Sequence, residues 1–139
     1  MGYAATTIAM YGVILTNEQA KQLHAKLVED GHFDKYNGYT FKTNLPEDKS
    51  NCHRFNIDMR GKGFDSRAEN IEYFNGHDER KWDIYVFGVF LASNGYAYTE
   101  DIGEYIQGKT LETAKKLWDE LCKEYVEESP SLQFVTQVW

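Results

Sequence analysis

Two segments of this chain share a short pattern: an aromatic residue, then Gly-Val, one further apolar residue, and Leu. They are Tyr11–Leu15 and Phe87–Leu91. Runs of aromatic and β-branched residues of this length are typical of buried strands. A glycine weakens a strand unless another group must approach the backbone closely. We therefore expect two core strands, with a helix or a large aromatic side chain packed against each glycine.

An amphipathic helix is predicted after each of these strands. The strand of residues 5–15 leads into Thr16–Gln19, which has the form of a capping box and predicts a helix that ends near Asp30. A second helix is predicted from Thr110, its expected cap, to about Glu128, because apolar residues recur there at i, i+3, i+4 and i+7.

The remaining patterns complete an α+β fold. Further strands are predicted over Tyr39–Thr43, Cys52–Arg60, Trp82–Ala92 and Leu132–Trp139, with a turn at Ser93–Gly95. Residues 61–80 and 96–109 receive no firm assignment. The order predicts one domain of residues 1–139, with a mixed or mainly antiparallel sheet of about five strands. We expect two amphipathic helices on one face of the sheet, and the repeated strand suggests a two-fold β-α-β pseudo-repeat.

The charge of the chain bears on its partners. The formal net charge is −7, and ten tyrosines lie among 139 residues. An acidic chain repels phosphate backbones, so direct binding to nucleic acid is disfavoured. The same composition suits a soluble protein whose acidic, Tyr-rich surface meets a basic protein, and it also suits mimicry of a nucleic acid.

Neither membrane insertion nor a metal site is indicated. The longest apolar run, Ile84–Ala92, is far shorter than the roughly 20 residues that span a bilayer. Cys52 and Cys122 lie far apart, and no pair of Cys or His residues has a spacing typical of metal ligands. We expect a cytoplasmic protein with reduced thiols, no cofactor and no metal.

The first candidate binding residues lie on and just after the predicted strand Cys52–Arg60. Arg54, Arg60 and Lys62 could hold a phosphate or a carboxylate, and Asp58 lies among them. The alternative is a solvated strand face whose charges pair with neighbouring acids. The segment has no P-loop pattern, so the interpretation depends on charge alone.

The second candidate site is the loop expected after the strand Trp82–Ala92. Tyr96 and Tyr98 could stack on a base or on a partner side chain, and Asp101 could accept a hydrogen bond. The alternative is an aromatic turn that covers the edge of the core. Any site is expected where this loop meets the basic strand that holds Arg54.

Three functions follow, in order of preference. The first is a non-catalytic binding or inhibitor protein that presents its acidic, Tyr-rich surface to a basic protein partner, in the manner of nucleic-acid mimics from viruses and mobile elements. The second is a protein that binds or sequesters a nucleotide or another small phosphate-bearing ligand. The third is a small hydrolase or transferase that uses Asp58 and His53.

Catalysis is the least supported of the three functions. Adjacent strand residues point to opposite faces, so Cys52 and His53 cannot act together as a dyad, and no catalytic residue is predicted. The sequence does not decide the oligomeric state. A homo-oligomer is possible, because the predicted last strand, Leu132–Trp139, could pair with a second copy at the edge of the sheet.

Overall fold

The structure, a computed structural model, describes residues 5–34, 38, 39, 41, 57–61, 84–95 and 102–138. A π-helical turn, Trp118–Cys122, continues the last helix. The helices and strands in chain order are β1 (Ala5–Thr16), α1 (Asn17–Glu29), β2 (Phe33–Asp34), β3 (Gly38–Tyr39), β4 (Ile57–Gly61), β5 (Ile84–Gly95), α2 (Ile102–Tyr105), α3 (Gly108–Leu117) and β6 (Ser131–Val138).

The main sheet has the strand order β4-β5-β1-β6, and every neighbouring pair is antiparallel. β2 and β3 form a separate two-stranded pair. The predicted α+β class and its antiparallel sheet are therefore confirmed. Within the described residues the main sheet has four strands, three long ones and the short β4, instead of about five. None of the helices in these ranges is both long and apolar enough to cross a membrane.

The two copies of the repeated pattern lie side by side, because β1 pairs with β5. Gly12 stands directly opposite Gly88, and Val13 stands opposite Phe87. A Cβ placed on Gly12 would overlap the carbonyl of Phe87 and lie 2.9 Å from the Cα of Gly88. A Cβ on Gly88 would overlap the carbonyl of Tyr11 and lie 2.6 Å from the Cα of Gly12. Each glycine therefore makes room for the backbone of the other copy, and the expected packing of a helix or a large aromatic side chain against each glycine stays a prediction.

The wider β-α-β repeat stays a prediction. The structure relates the two copies as an antiparallel strand pair, whereas the chain that follows them differs. α1 begins immediately after β1, but α2 precedes α3 after β5.

One side of the sheet carries the main core. Alternate residues of the central strands, such as Val13 and Phe87, share one buried cluster with residues from both helices. α1 contributes Leu27 to it, and α3 contributes Leu117. Both helices therefore pack on the same face of the sheet, as expected. A second cluster, formed by Ile8, Met10, Val86 and Val135, occupies the opposite face.

β5 is longer than the sequence predicts. Ser93–Gly95, expected as a turn, continues the strand and pairs with residues 6–8 of β1. The register shifts once, since Ala9 pairs with Ala92 whereas Met10 pairs with Phe90, which leaves one extra residue in β5. Pairing with β1 satisfies backbone groups that a turn would leave to water, so it outweighs the local turn preference of Asn-Gly.

The second helix also differs from its prediction. It begins at Gly108 after an N-cap at Gln107, so Thr110 lies inside the first turn and is not the cap. The α-helical part ends at Leu117, and the π turn follows it, whereas the pattern predicted one helix to about Glu128. Apolar residues spaced three and four apart are typical of an α-helix, so the pattern gave no signal for the π turn at Trp118–Cys122.

Candidate functional site

Most residues that the sequence nominates for binding lie outside the described part of the chain. They are His53, Arg54, Lys62, Tyr96, Tyr98 and Asp101. The structure describes the backbone of Asp58 and Arg60, which lie on β4 and pair with Gly88 and Val86. The meeting of the basic strand with the tyrosine loop therefore stays a prediction, as do the phosphate-binding and catalytic alternatives that depend on it.

A groove of about 300 Å³ lies between α1 and the chain that follows the π turn. Its apolar lining comes from Leu15, Leu23, Tyr125 and Val126. Its polar lining comes from Gln19, Gln22, Lys26, Glu127 and Glu128. A cleft of this size is at the small end of ligand sites and suits one or two side chains.

One wall of the groove is a single face of α1. Gln19, Gln22, Leu23 and Lys26 follow the i, i+3, i+4, i+7 spacing that places residues on one side of a helix. The capping box fixes the start of this wall. The backbone N–H of Gln19 donates to Oγ1 of Thr16 at 3.2 Å, and the N–H of Thr16 donates to Oε1 of Gln19 at 3.0 Å. The predicted capping box is thereby confirmed.

Tyr125 forms much of the other wall and joins it to the end of α1. Its hydroxyl donates a hydrogen bond of 2.7 Å to Oδ2 of Asp30. Nζ of Lys26 lies 5.2 Å from the centre of the Tyr125 ring, within the range of a cation–π contact. Burial, followed by the hydrogen bond to Asp30, raises the pKa of Tyr125. The phenol therefore stays a neutral donor, and its bond to Asp30 holds the residues after the π turn against α1.

Two further aromatic rings support Tyr125. His32 stacks on Phe41 with ring centroids 4.3 Å apart. Both rings meet Tyr125 edge to face, His32 at 6.0 Å and Phe41 at 6.4 Å between centroids. Such edge-to-face pairs stabilise a fixed ring orientation beyond the area that they bury. Tyr125 is therefore held from several sides.

The electrostatic character of this region is set by residues 119–128, which we call the acidic segment. Lys123 is the one basic residue in it. Its carboxylates, all exposed, are Asp119, Glu120, Glu124, Glu127 and Glu128. Glu127 and Glu128 belong to the groove, so the negative field of the segment reaches the groove lining.

The described residues also hold polar groups that solvent hardly reaches. His24 on α1 is 8 % exposed, and its Nδ1 lies 2.8 Å from the hydroxyl of Tyr39. Burial lowers the pKa of His24. Cys122 is fully buried in the π turn, and burial raises the pKa of its thiol, so the thiolate needed for nucleophilic chemistry is disfavoured. These groups stabilise the interior and are not positioned to meet a ligand.

The groove was not predicted from the sequence. Tyr125 fitted the apolar stripe of the second helix, and the glutamates after it fitted an ordinary solvated face. The signal that was present is the run Tyr125–Glu128, which places an aromatic residue, an apolar residue and two acids at the end of a helix. Only the approach of α1, which is distant in the sequence, turns that run into one wall of a groove.

Comparison of the chain with known proteins gave no family or relative. No family model, no curated protein and no solved structure matches it. Among the described residues, no group of three or more His, Cys, Asp or Glu side chains is arranged to hold a metal ion.

Proposed function

We propose that this chain is a non-catalytic binding protein that presents an acidic, Tyr-containing surface to a protein partner with a basic surface. The observation that carries the proposal is the acidic segment, whose five carboxylates are all exposed and which contains the firmly held Tyr125. Carboxylates on a surface steer a basic partner and set the orientation of its approach, while a fixed aromatic ring contributes contact area at little entropic cost.

Inhibition by mimicry is the specific form of this proposal. A basic protein groove that normally holds nucleic acid would accept a surface that carries closely spaced negative charges. The partner would meet this chain in the cytoplasm. Competition between the chain and double-stranded DNA for the same basic protein is the feature that distinguishes mimicry from other acidic contacts.

The experiment begins with affinity capture using the tagged chain as bait, followed by binding measurements with the purified captured protein. Affinity should fall steeply between about 0.05 and 0.3 M salt, because screening shortens the reach of exposed charges. A variant that replaces all five carboxylates of the acidic segment with their amides should lose most of the binding.

The matched control neutralises exposed carboxylates elsewhere on the molecule, at Glu18, Glu29, Glu104 and Glu112. This control should retain most of the affinity, although its net charge changes by a similar amount. Equal binding by the amide variant of the acidic segment, or binding that salt does not weaken, would contradict the proposal.

A further inference from the structure

We infer that the groove between α1 and Tyr125–Glu128 is the anchor site for an arginine side chain of the basic partner. The inference rests on the proposed function, and it assigns the central contact to a defined place. It follows from the shape of the groove, the chemistry of its rim and the position of Lys26.

The groove has the dimensions and the lining that a long cationic side chain requires. Its volume is about 300 Å³, enough for one or two side chains and small for a complete cofactor. Leu15, Leu23 and Val126 supply apolar surface along which the methylene stem of arginine can lie. Apolar lining beneath a charged rim is the arrangement that binds an amphipathic side chain.

The carboxylates at the rim favour a planar cation that donates paired hydrogen bonds. Glu127 and Glu128 are consecutive exposed carboxylates in the lining. A guanidinium presents paired N–H donors to carboxylates and also stacks on aromatic rings, whereas an ammonium acts as a point charge. Tyr125 contributes to the same lining and is fixed by Asp30. The two carboxylates therefore favour arginine over lysine.

Lys26 places one of the chain's own cations on the wall of the groove. Its ammonium lies 5.2 Å from the centre of the Tyr125 ring, on the wall of the groove. The like charge of Lys26 opposes an arriving arginine. Replacing Lys26 with a neutral side chain should therefore strengthen binding more than the loss of any distant lysine does.

The test uses fluorescence anisotropy with a labelled peptide of alternating Gly and Arg residues, and a Gly-Lys peptide for comparison. The wild-type chain should bind the Arg peptide more tightly than the Lys peptide. Glu127→Gln with Glu128→Gln should weaken the Arg peptide about tenfold or more, as expected for the loss of charge-assisted bonds. Glu104→Gln with Glu112→Gln, which changes the net charge equally, should weaken it about threefold or less.

Lys26→Met supplies the opposite change, with Lys109→Met as its control. Lys26→Met should tighten the Arg peptide several-fold, while Lys109→Met should tighten it only slightly. All these side chains are exposed, and melting curves of each variant verify that the fold is intact.

The outcomes separate the two proposals. If the wild-type chain binds neither peptide at low salt, the anchor site is wrong, and the proposed function is then decided by the captured protein and the amide variant of the acidic segment. If it binds with the expected salt dependence but the groove and control variants weaken equally, the acidic surface stands and the anchor site is wrong. A groove-specific loss together with the gain from Lys26→Met supports the anchor site.

Discussion

The centre of the sheet and the junction of α1 with Tyr125 both depend on aromatic side chains, but they use them differently. At the centre, Trp118 meets Tyr11 and Phe87 with ring centroids 6.3 and 6.1 Å apart, above the strand pair where Gly12 and Gly88 touch. At the junction, Tyr125 meets other rings and also bonds to Asp30 and lies beneath Lys26.

The two regions differ in the substitutions that they tolerate. The centre is apolar and close-packed, so any change of volume there must move neighbouring atoms. The junction is partly exposed, and its contacts are polar and separable, so a change there removes one contact without displacing the backbone. We therefore expect substitutions at the centre to affect folding, whereas substitutions at the junction should affect stability slightly and leave the surface open to a binding role.

The largest effect should come from Trp118→Ala. Trp118 is 2 % exposed and contacts both central strands, so its truncation leaves a cavity and should cost about 3–5 kcal/mol of unfolding free energy. Urea unfolding at neutral pH measures the loss. Trp118→Phe, which keeps a ring, should cost clearly less. A loss below about 1 kcal/mol for Trp118→Ala would show that the centre is not close-packed.

Gly12→Ala should destabilise the protein next most strongly. The added methyl group would overlap the carbonyl of Phe87, so the two strands must separate, at a cost of about 2–3 kcal/mol. Gly31→Asn is the control, because a side chain at Gly31 meets nothing within 4 Å and asparagine tolerates its positive φ of 79°. Equal loss in the two variants would mean that space at the strand crossing does not matter.

Acidification should weaken the contact between α1 and β3. Because burial lowers the pKa of His24, the unfolded chain binds a proton at this residue more readily than the folded one. The contribution of neutral His24 is complete above the ordinary histidine pKa of about 6.5, and stability falls as the pH drops below that value. Melting temperatures from pH 8 to pH 5 measure this fall.

Glutamine at position 24 can still form a hydrogen bond with Tyr39 but does not titrate. His24→Gln should therefore reduce the fall in melting temperature between pH 8 and pH 5. His32→Gln is the matched control, since it removes a second imidazole from a partly exposed position. If the melting temperatures of wild type and His24→Gln depend on pH in the same way, neutral His24 is not the source of the fall.

The smallest effect should come from Tyr125→Phe at the junction. It removes the hydrogen bond to Asp30 while keeping the ring, and it should cost about 1 kcal/mol or less because the site is partly exposed. Asp30→Asn combined with Tyr125→Phe should cost little more than Tyr125→Phe alone, since the two changes affect one contact. If Tyr125→Phe loses as much unfolding free energy as Trp118→Ala, the junction does not tolerate substitution better than the centre of the sheet.

The sequence predicted correctly an interaction that joins residues close together in the chain. The capping box of Thr16 and Gln19 connects residues three apart, so its pattern predicts it directly. The repeated glycines indicated that something approaches the backbone, but the approaching group is another part of the chain. Pairing with β1 also overrode the turn preference of Ser93–Gly95, which no local pattern could reveal.

The candidate site was less predictable than the fold. The groove needs α1 and Tyr125 to meet across a long stretch of sequence, and the hydrogen bond to Asp30 that holds them is a tertiary contact. The tyrosines and arginines nominated for binding were conspicuous because they cluster in sequence. The groove residues, by contrast, come from two distant parts of the sequence, so they form no cluster that a sequence pattern could reveal.

The π turn gives the last helix one residue more than a regular α-helix needs there. Its bond from the N–H of Lys123 to the carbonyl of Trp118, 2.9 Å long, spans one residue more than an α-helical bond does. Deleting a single surface residue such as Glu120 would turn this bond into an ordinary α-helical one and would leave the chain after it in its present orientation. A deletion within α3, by contrast, would rotate the chain that follows by about 100° about the helix axis. Variants one residue shorter in the π turn should therefore keep the alignment of Tyr125 with Asp30, whereas variants one residue shorter in α3 should lose it.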